Sequence, residues 1–257
     1  MKQITSHDNP FYKELRKLVS STRQRIKTGQ TLLDGAHLLA SYIACGKQPV
    51  HLLLTAAAQD NPEIQSLIKQ LPTVPLTQLD DGLFAELSEL KTLSGVLALI
   101  AIPKTDCLPL GSHFALLLED IQDPGNLGSM LRSAAAAGCD QVFMSKGCAD
   151  AWSPKVLRAA MGGHFVLRIC EDAELIRVAA GFNGSIFAAA LNAPSSLYDS
   201  RLSGNIAFAI GNEGSGLSKE LMAKAVPVTI PMPGKVESLN AAAAAAVCLF
   251  EAVRQRK

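Results

Sequence analysis

No pair of the six cysteines (Cys45, Cys107, Cys139, Cys148, Cys170, Cys248) stands at C-x-x-C spacing, and no histidine cluster lies near them. That pattern argues against a zinc site and against a disulfide framework. Small buried thiols in a reducing cytoplasm are the simplest account, and no metal is expected. The start, Met1–Asp8, is polar and has no apolar h-region, so no secretory signal is expected. The longest apolar run, Ala241–Phe250, is too short and too rich in alanine to span a bilayer. Charge of one sign is also lacking. With 24 Lys+Arg against 23 Asp+Glu the formal net charge is +1, so total charge does not announce a nucleic-acid partner and any basic surface must be local. One run is locally basic: Lys2, Lys13, Arg16, Lys17, Arg23, Arg25 and Lys27 against Asp8 and Glu14. From charge alone it reads as a solvated helix face. Apart from the alanines there is no low-complexity tract, and there is no internal repeat.

What is present describes a globular protein. The chain has 257 residues, 48% hydrophobic and 18% charged, enough for one large domain or two modest ones. The first third alternates helix-like and strand-like pieces. Helices are expected at 9–20, 37–44, 62–70 and 81–90, and strands at 31–33, 50–54, 74–76 and 96–102, which suggests a small α/β sandwich. Residues 103–112 hold two prolines and a glycine and lose periodicity, which marks a linker. A second alternating series follows. Strands are expected at 114–118, 141–144, 166–169, 186–191, 206–210 and 228–230. Helices are expected at 126–137, 154–161, 173–180, 218–225 and 238–254. Ligands bind at strand ends in a parallel sheet of this kind.

Three segments carry chemistry. In Asp123-Pro124-Gly125-Asn126-Leu127-Gly128-Ser129-Met130-Leu131-Arg132 a strand gives way to a polar turn. Asn126 is placed as the N-cap of the next helix, and Arg132 lies almost two turns into it. Read alone, this turn is structural and Arg132 a surface arginine. The second segment is Gly211-Asn212-Glu213-Gly214-Ser215-Gly216-Leu217-Ser218, directly behind the apolar run Ile206–Ile210. Its glycines let backbone approach a ligand. It is not a Walker A loop, because no Gly-Lys-Ser/Thr follows, and its spacing is not that of a dinucleotide-binding fingerprint. Glu213 would repel a phosphate, so a neutral or cationic ligand fits better. The plainer reading is a loop that needs positive φ. The third segment runs from Ile230-Pro231-Met232-Pro233-Gly234-Lys235 through Val236-Glu237-Ser238-Leu239-Asn240 into Ala241–Ala246. Prolines and a glycine impose a rigid path, and the alanines let the last helix pack closely. Ser238 and Asn240 could act only as caps.

Together, D-P-G-N-L-G-S-M-L-R at 123–132, G-N-E-G-S-G-L-S at 211–218 and I-P-M-P-G-K-V-E-S-L-N-A at 230–241 resemble the three motifs of the SpoU (TrmH-like) RNA ribose methyltransferases of the SPOUT superfamily. The resemblance is strong over 114–254. Over 1–102 it is looser, to a small α/β substrate-binding domain of ribosomal-protein type. It implies an RNA substrate-binding domain at 1–104, a linker at 105–112 and a catalytic domain at 113–257. It also implies a C-terminal trefoil knot, a homodimer through the C-terminal domain, and S-adenosyl-L-methionine as cofactor. Leu191, Gly211, Ile230, Met232 and Leu239 are the implied cofactor residues. Asn126, Arg132, Glu213, Ser238 and Asn240 are the implied polar active-site set.

The implied reaction moves a methyl group to a ribose 2′-hydroxyl, in ribosomal RNA in preference to transfer RNA. Arg132 is the implied activator, although a guanidinium has no free acceptor and a pKa above about 12. A phosphate clamp or alkoxide stabiliser is an equal alternative. With charge balanced overall, RNA would meet local patches: the basic run of the first thirty residues, with Lys146, Lys155 and Arg158. The competing readings are a non-catalytic RNA-binding protein on the same fold, a SPOUT enzyme acting on a base, and a nucleotide-binding dehydrogenase. Intact motifs disfavour the first, the joint presence of Asn126 and Arg132 the second, and the glycine spacing the third.

Overall fold

The computed structural model describes residues 2–90, 92–105, 107–108 and 111–256. Of the expected linker 105–112, residues 106, 109 and 110 lie outside the described residues. The chain divides into two compact units, one of residues 1–104 with 152–165, the other of residues 105–151 with 166–257.

The first unit runs β1 (Lys2–Ile4), α1 (Pro10–Ser20), α2 (Thr22–Thr28), β2 (Gln30–Asp34), α3 (Ala36–Ala44), β3 (His51–Leu54), α4 (Pro62–Lys69), β4 (Leu76–Leu79), α5 (Asp81–Leu87) and β5 (Val96–Ala101). Its five-stranded sheet has the order β1-β4-β3-β5-β2, with β5 antiparallel to both neighbours. Tyr12, Leu15, Leu53, Phe84 and Leu97 belong to one of its core clusters. The sequence reading missed β1 and α2. Ser21 caps α2 directly after α1 ends, accepting from Gln24 N at 3.2 Å, and α2 carries Ile26 as its only apolar residue, so no helical stripe announces it. The basic run is in part structural. Arg25 is only 4% exposed. Its guanidinium donates to Leu18 O, to Val19 O at 3.1 Å and to Thr22 Oγ1 at 3.1 Å, covering carbonyls that the last turn of α1 leaves open.

The second series is β6 (Phe114–Leu118), α6 (Pro124–Ala137), β7 (Gln141–Met144), α7 (Pro154–Ala160), β8 (Arg168–Cys170), α8 (Leu175–Gly181), β9 (Ser185–Ala189), β10 (Ser195–Ser196), β11 (Ile206–Ile210), α9 (Lys219–Met222), β12 (Val226–Thr229) and α10 (Ala241–Gln255). Among these, α7 packs on β2 of the first unit, and Thr31 Oγ1 donates to Trp152 O at 2.7 Å. Residues 152–165 therefore fold with the first unit, although the sequence reading placed them with the second. Local pattern shows that a helix forms there but not which sheet it covers.

The second unit is a seven-stranded sheet in the order β10-β12-β9-β11-β6-β7-β8, parallel at every pairing. Burial on both faces explains why β6 and β11 are unbroken apolar runs, buried at every residue. Ala115, Leu117, Ala207 and Ala209 point to a cluster with Leu175 and Val178 of α8 and Leu221 of α9. The long helices α6 and α10 pack on one another, and α10 also meets β9 and β11. Cys107 and Cys170 form a disulfide across 63 residues, with Cα atoms 5.3 Å apart. This corrects the expectation of unpaired thiols: the fold brings the start of this unit beside the end of β8, which spacing along the chain does not reveal. Cys45, Cys139, Cys148 and Cys248 are free. Among the described residues no helix is long and apolar enough to cross a membrane.

Near its end α10 carries Glu251, 8% exposed, which accepts from Arg254 Nε at 2.8 Å and from Gln255 Nε2 at 2.8 Å. These bonds, Arg254 foremost, lower its pKa from 4.5 to about 2. Because the folded value lies below the unfolded one, the stabilisation is complete above the ordinary carboxylate pKa and disappears as pH falls towards the folded value. Urea unfolding should show Glu251→Gln less stable than wild type at pH 7, with the gap closing as pH falls from 4.5 to about 2. A gap constant with pH would show that the charge of Glu251 contributes nothing.

Candidate active site

In a parallel sheet the carboxyl ends of the strands share one edge. The chain leaves β6 towards β7 and leaves β11 towards β12, on opposite sides, so adjacent β6 and β11 flank the topological switch point. Open α/β sheets bind ligands at that place.

The turn after β6 feeds α6. The structure corrects the expected cap: Asp123, not Asn126, is the N-cap, its Oδ1 accepting from Asn126 N at 2.7 Å, with Pro124 in the first turn. The helix thus starts earlier than Asn126, whose side chain is released for other work. Its amide donates to Glu213, and its Oδ1 accepts from Asn240 Nδ2 at 3.0 Å. Asn240 is also the N-cap of α10, through Oδ1 to Ala242 N at 2.9 Å and Ala243 N at 3.2 Å. Each end of the Asn240 amide therefore has a separate task, and one side chain from each motif joins the chain Asn240–Asn126–Glu213.

The glycine loop folds back on itself. Gly216 N donates to Asn212 O at 2.9 Å, and Asn212 Oδ1 accepts from Gly214 N at 2.8 Å and Ser215 N at 3.1 Å. Gly216 has φ +68°, where a side chain is strained. A Cβ on Gly211 would lie 2.3 Å from Gly216 C, so this glycine answers to close backbone packing instead.

Beside this loop lies a cavity of about 410 Å³, within the size range of small-molecule sites. Leu191, Gly211, Ile230, Met232 and Leu239 all line it, and so do Glu213 and Ser238. Ala241 and Ala244 complete part of the wall, so the alanines of α10 do bring a helix close. Arg132 stands apart. It is exposed, does not line the cavity, and makes no hydrogen bond or ion pair with any described residue. At six residues past Asn126 it lies about 120° round α6. Sequence reasoning missed Asn192 and Thr229 in the cavity wall, which follow β9 and close β12 without any distinctive spacing. It also gave no role to Glu119, which accepts from Ser218. No group of His, Cys, Asp and Glu side chains among the described residues converges as a metal ligand set.

A family model described as "SpoU rRNA Methylase family" matches residues 113–250. An uncharacterized tRNA/rRNA methyltransferase of Synechocystis is 33% identical over 98% of this chain and 94% of its own. The 23S rRNA (guanosine(2553)-2′-O)-methyltransferase RlmP of Bacillus subtilis is 30% identical over 97% of this chain and 98% of its own. The crystal structure of the SpoU methyltransferase AviRb from Streptomyces viridochromogenes in complex with AdoMet superposes with a TM-score of 0.84. It is 25% identical over 96% of this chain and 98% of that one.

Proposed function

The chain belongs to the SpoU rRNA methylase family, and from that premise we propose that it transfers a methyl group from S-adenosyl-L-methionine to a ribose 2′-hydroxyl of ribosomal RNA. One observation carries the reading: the cavity at the strand ends is walled by all five residues assigned to the cofactor, with Glu213 on its rim bonded to Asn126. A sulfonium cofactor is a cation beside an adenosine. A glycine-lined wall with a carboxylate suits it better than it would suit a phosphate. Main-chain groups at 211, 230 and 239 are available to the adenine edge. Asn126, held from both sides, and Ser238 would orient the ribose. Positioning of the hydroxyl in line with the methyl group supplies much of the rate. Arg132, unpaired and reaching into solvent from α6, would hold the adjoining phosphate and stabilise the developing alkoxide. Ribosomal RNA is favoured over transfer RNA because the B. subtilis relative, named for 23S rRNA, aligns over nearly the whole of both chains.

The same proposal includes a knotted C-terminal path, supported by the return of α10 from β12, one strand in from the sheet edge, to α6 and β11. It includes a homodimer through this unit, supported by the face of α10 on which Phe250 is 48% exposed. The first unit would bind RNA, as a small domain of ribosomal-protein type, with Lys17 and Arg23 more available than the buried Arg25. The same reading includes a cytoplasmic setting. The test is transfer of tritium from methyl-labelled cofactor to separated RNA fractions. The label should enter large ribosomal RNA and be recovered in 2′-O-methyl nucleosides. Label confined to transfer RNA would replace the substrate, label on a base would replace the acceptor, and none in any RNA would overturn the reaction.

A further inference from the structure

Two consecutive acids close β6, and each holds one end of the glycine loop. The main-chain N–H of Glu119 donates to Ile210 O at 3.0 Å, which places it beside the last residue of β11. Its carboxylate accepts from Ser218 N at 2.6 Å and from Ser218 Oγ at 2.7 Å. Ser218 Oγ in turn accepts from Leu221 N at 3.3 Å as the N-cap of α9. Asp120 has φ +56°, a left-handed conformation that strains a non-glycine residue. Its carbonyl accepts from Asn212 Nδ2 at 2.9 Å, and its own main chain and carboxylate are held by Ser145 at 2.9 and 2.7 Å. The loop is thus fastened at Asn212 and at Ser218 to adjacent residues of one strand end. Between the two fastenings lie Glu213, which bonds Asn126, and much of the cavity wall. Of the two, the Glu119 clamp is the stronger, because an ionised acceptor takes two short bonds from one residue.

We propose that Glu119 is a positioning residue for methyl transfer. By gripping Ser218 it fixes the loop that walls the cofactor cavity and aims Glu213 at Asn126. It lies outside the cavity wall and acts only through Ser218. The proposal rests on the methyltransferase reading above. A purely structural bond would change thermal stability alone, whereas a positioning bond changes cofactor affinity and kcat in protein that is still folded.

The experiment measures cofactor Kd by calorimetry, kcat and KM for RNA, and Tm, all on the full chain. Glu119→Ala should raise the cofactor Kd about tenfold and lower kcat by about as much, with KM for RNA within about twofold. Glu119→Gln should stay within about threefold, because its amide oxygen can take the Ser218 N–H while its NH₂ donates to the hydroxyl. Glu119→Asp keeps the charge but loses a methylene of reach, and should fall between them. Folded Glu119→Ala with wild-type Kd and kcat and only a lower Tm would overturn the proposal, as would a Gln variant as damaged as Ala. Should Glu119→Ala not fold, unchanged Kd and kcat in Glu119→Asp would overturn it equally. Wild type that binds cofactor but methylates no RNA would instead overturn the functional reading, since the order of Kd values still tests the clamp.

Discussion

Replacing Arg132 by alanine is expected to lower RNA methylation by at least about a hundredfold, the scale seen when a charge-stabilising group is removed from a reacting oxygen. Cofactor affinity should stay within about twofold, because the side chain lies outside the cavity wall and bonds to no described residue. A cation that the fold leaves without a partner, on the helix that also presents Asn126, is suited to meet an anion brought by the substrate. Arg132→Lys separates its possible roles. Lysine keeps a charge but loses the planar fork that grips a phosphate through two bonds. A lysine variant with near wild-type kcat would mean that charge alone suffices. One as slow as alanine would mean that the fork is needed. Methylation by Arg132→Ala at the wild-type level would remove Arg132 from the mechanism, whatever its place in the motif.

The placement of Arg132 also shows what a linear sequence can and cannot carry. Strands β6 and β11 were legible to the residue because burial on both faces makes them continuous apolar runs, and that signal is local. Of the five residues expected at the cofactor, Gly211, Ile230, Met232 and Leu239 sit in two glycine- and proline-rich stretches of distinctive wording, while Leu191 lies outside both; all five line the cavity. Sequence reasoning misassigned the cap of α6. Both Asp123 and Asn126 are good N-caps, and only the path of the chain decides which one bonds the helix. Read from local pattern, Asn126 had only a capping task; the family resemblance, not the cap signal, grouped it with Glu213 and Asn240, to which its side chain is bonded. The destination of α7, the Cys107–Cys170 disulfide and the Glu119–Ser218 clamp were illegible for a common reason. Each joins residues far apart in sequence through contacts that leave no periodicity. The basic run was half legible, since composition counts Arg25 as surface charge while the structure buries it against α1 carbonyls.

The second large effect is expected at Gly211, and the three glycines of its loop should give three different results. A Cβ on Gly211 would lie 2.3 Å from Gly216 C, 2.4 Å from Gly216 O and 2.5 Å from Leu217 N. All three are backbone atoms of the returning strand of the loop, so no rotamer change can relieve the overlap. The loop must open, and its fastenings at Asn212 and Ser218 force the displacement into the cavity wall and Glu213. Displacement by about 1 Å in a positioned site is enough to cost about a hundredfold, and Gly211→Ala is expected to weaken cofactor binding by at least that factor. Gly214 has only Asn212 Oδ1 within reach, at 3.4 Å, and its φ is not in the left-handed region. Gly214→Ala should therefore keep cofactor affinity within about threefold, since its Cβ meets only ordinary contact. Gly216 has open space around a Cβ but φ +68°. Gly216→Ala should lower stability by about 1–2 kcal/mol, through backbone strain, with a smaller loss of affinity than Gly211→Ala. Calorimetric titration with S-adenosylmethionine and thermal unfolding of the three variants would read this order. Wild-type affinity in folded Gly211→Ala would mean that the loop can open without disturbing the cofactor, and Gly211 would then have no part in shaping the cavity.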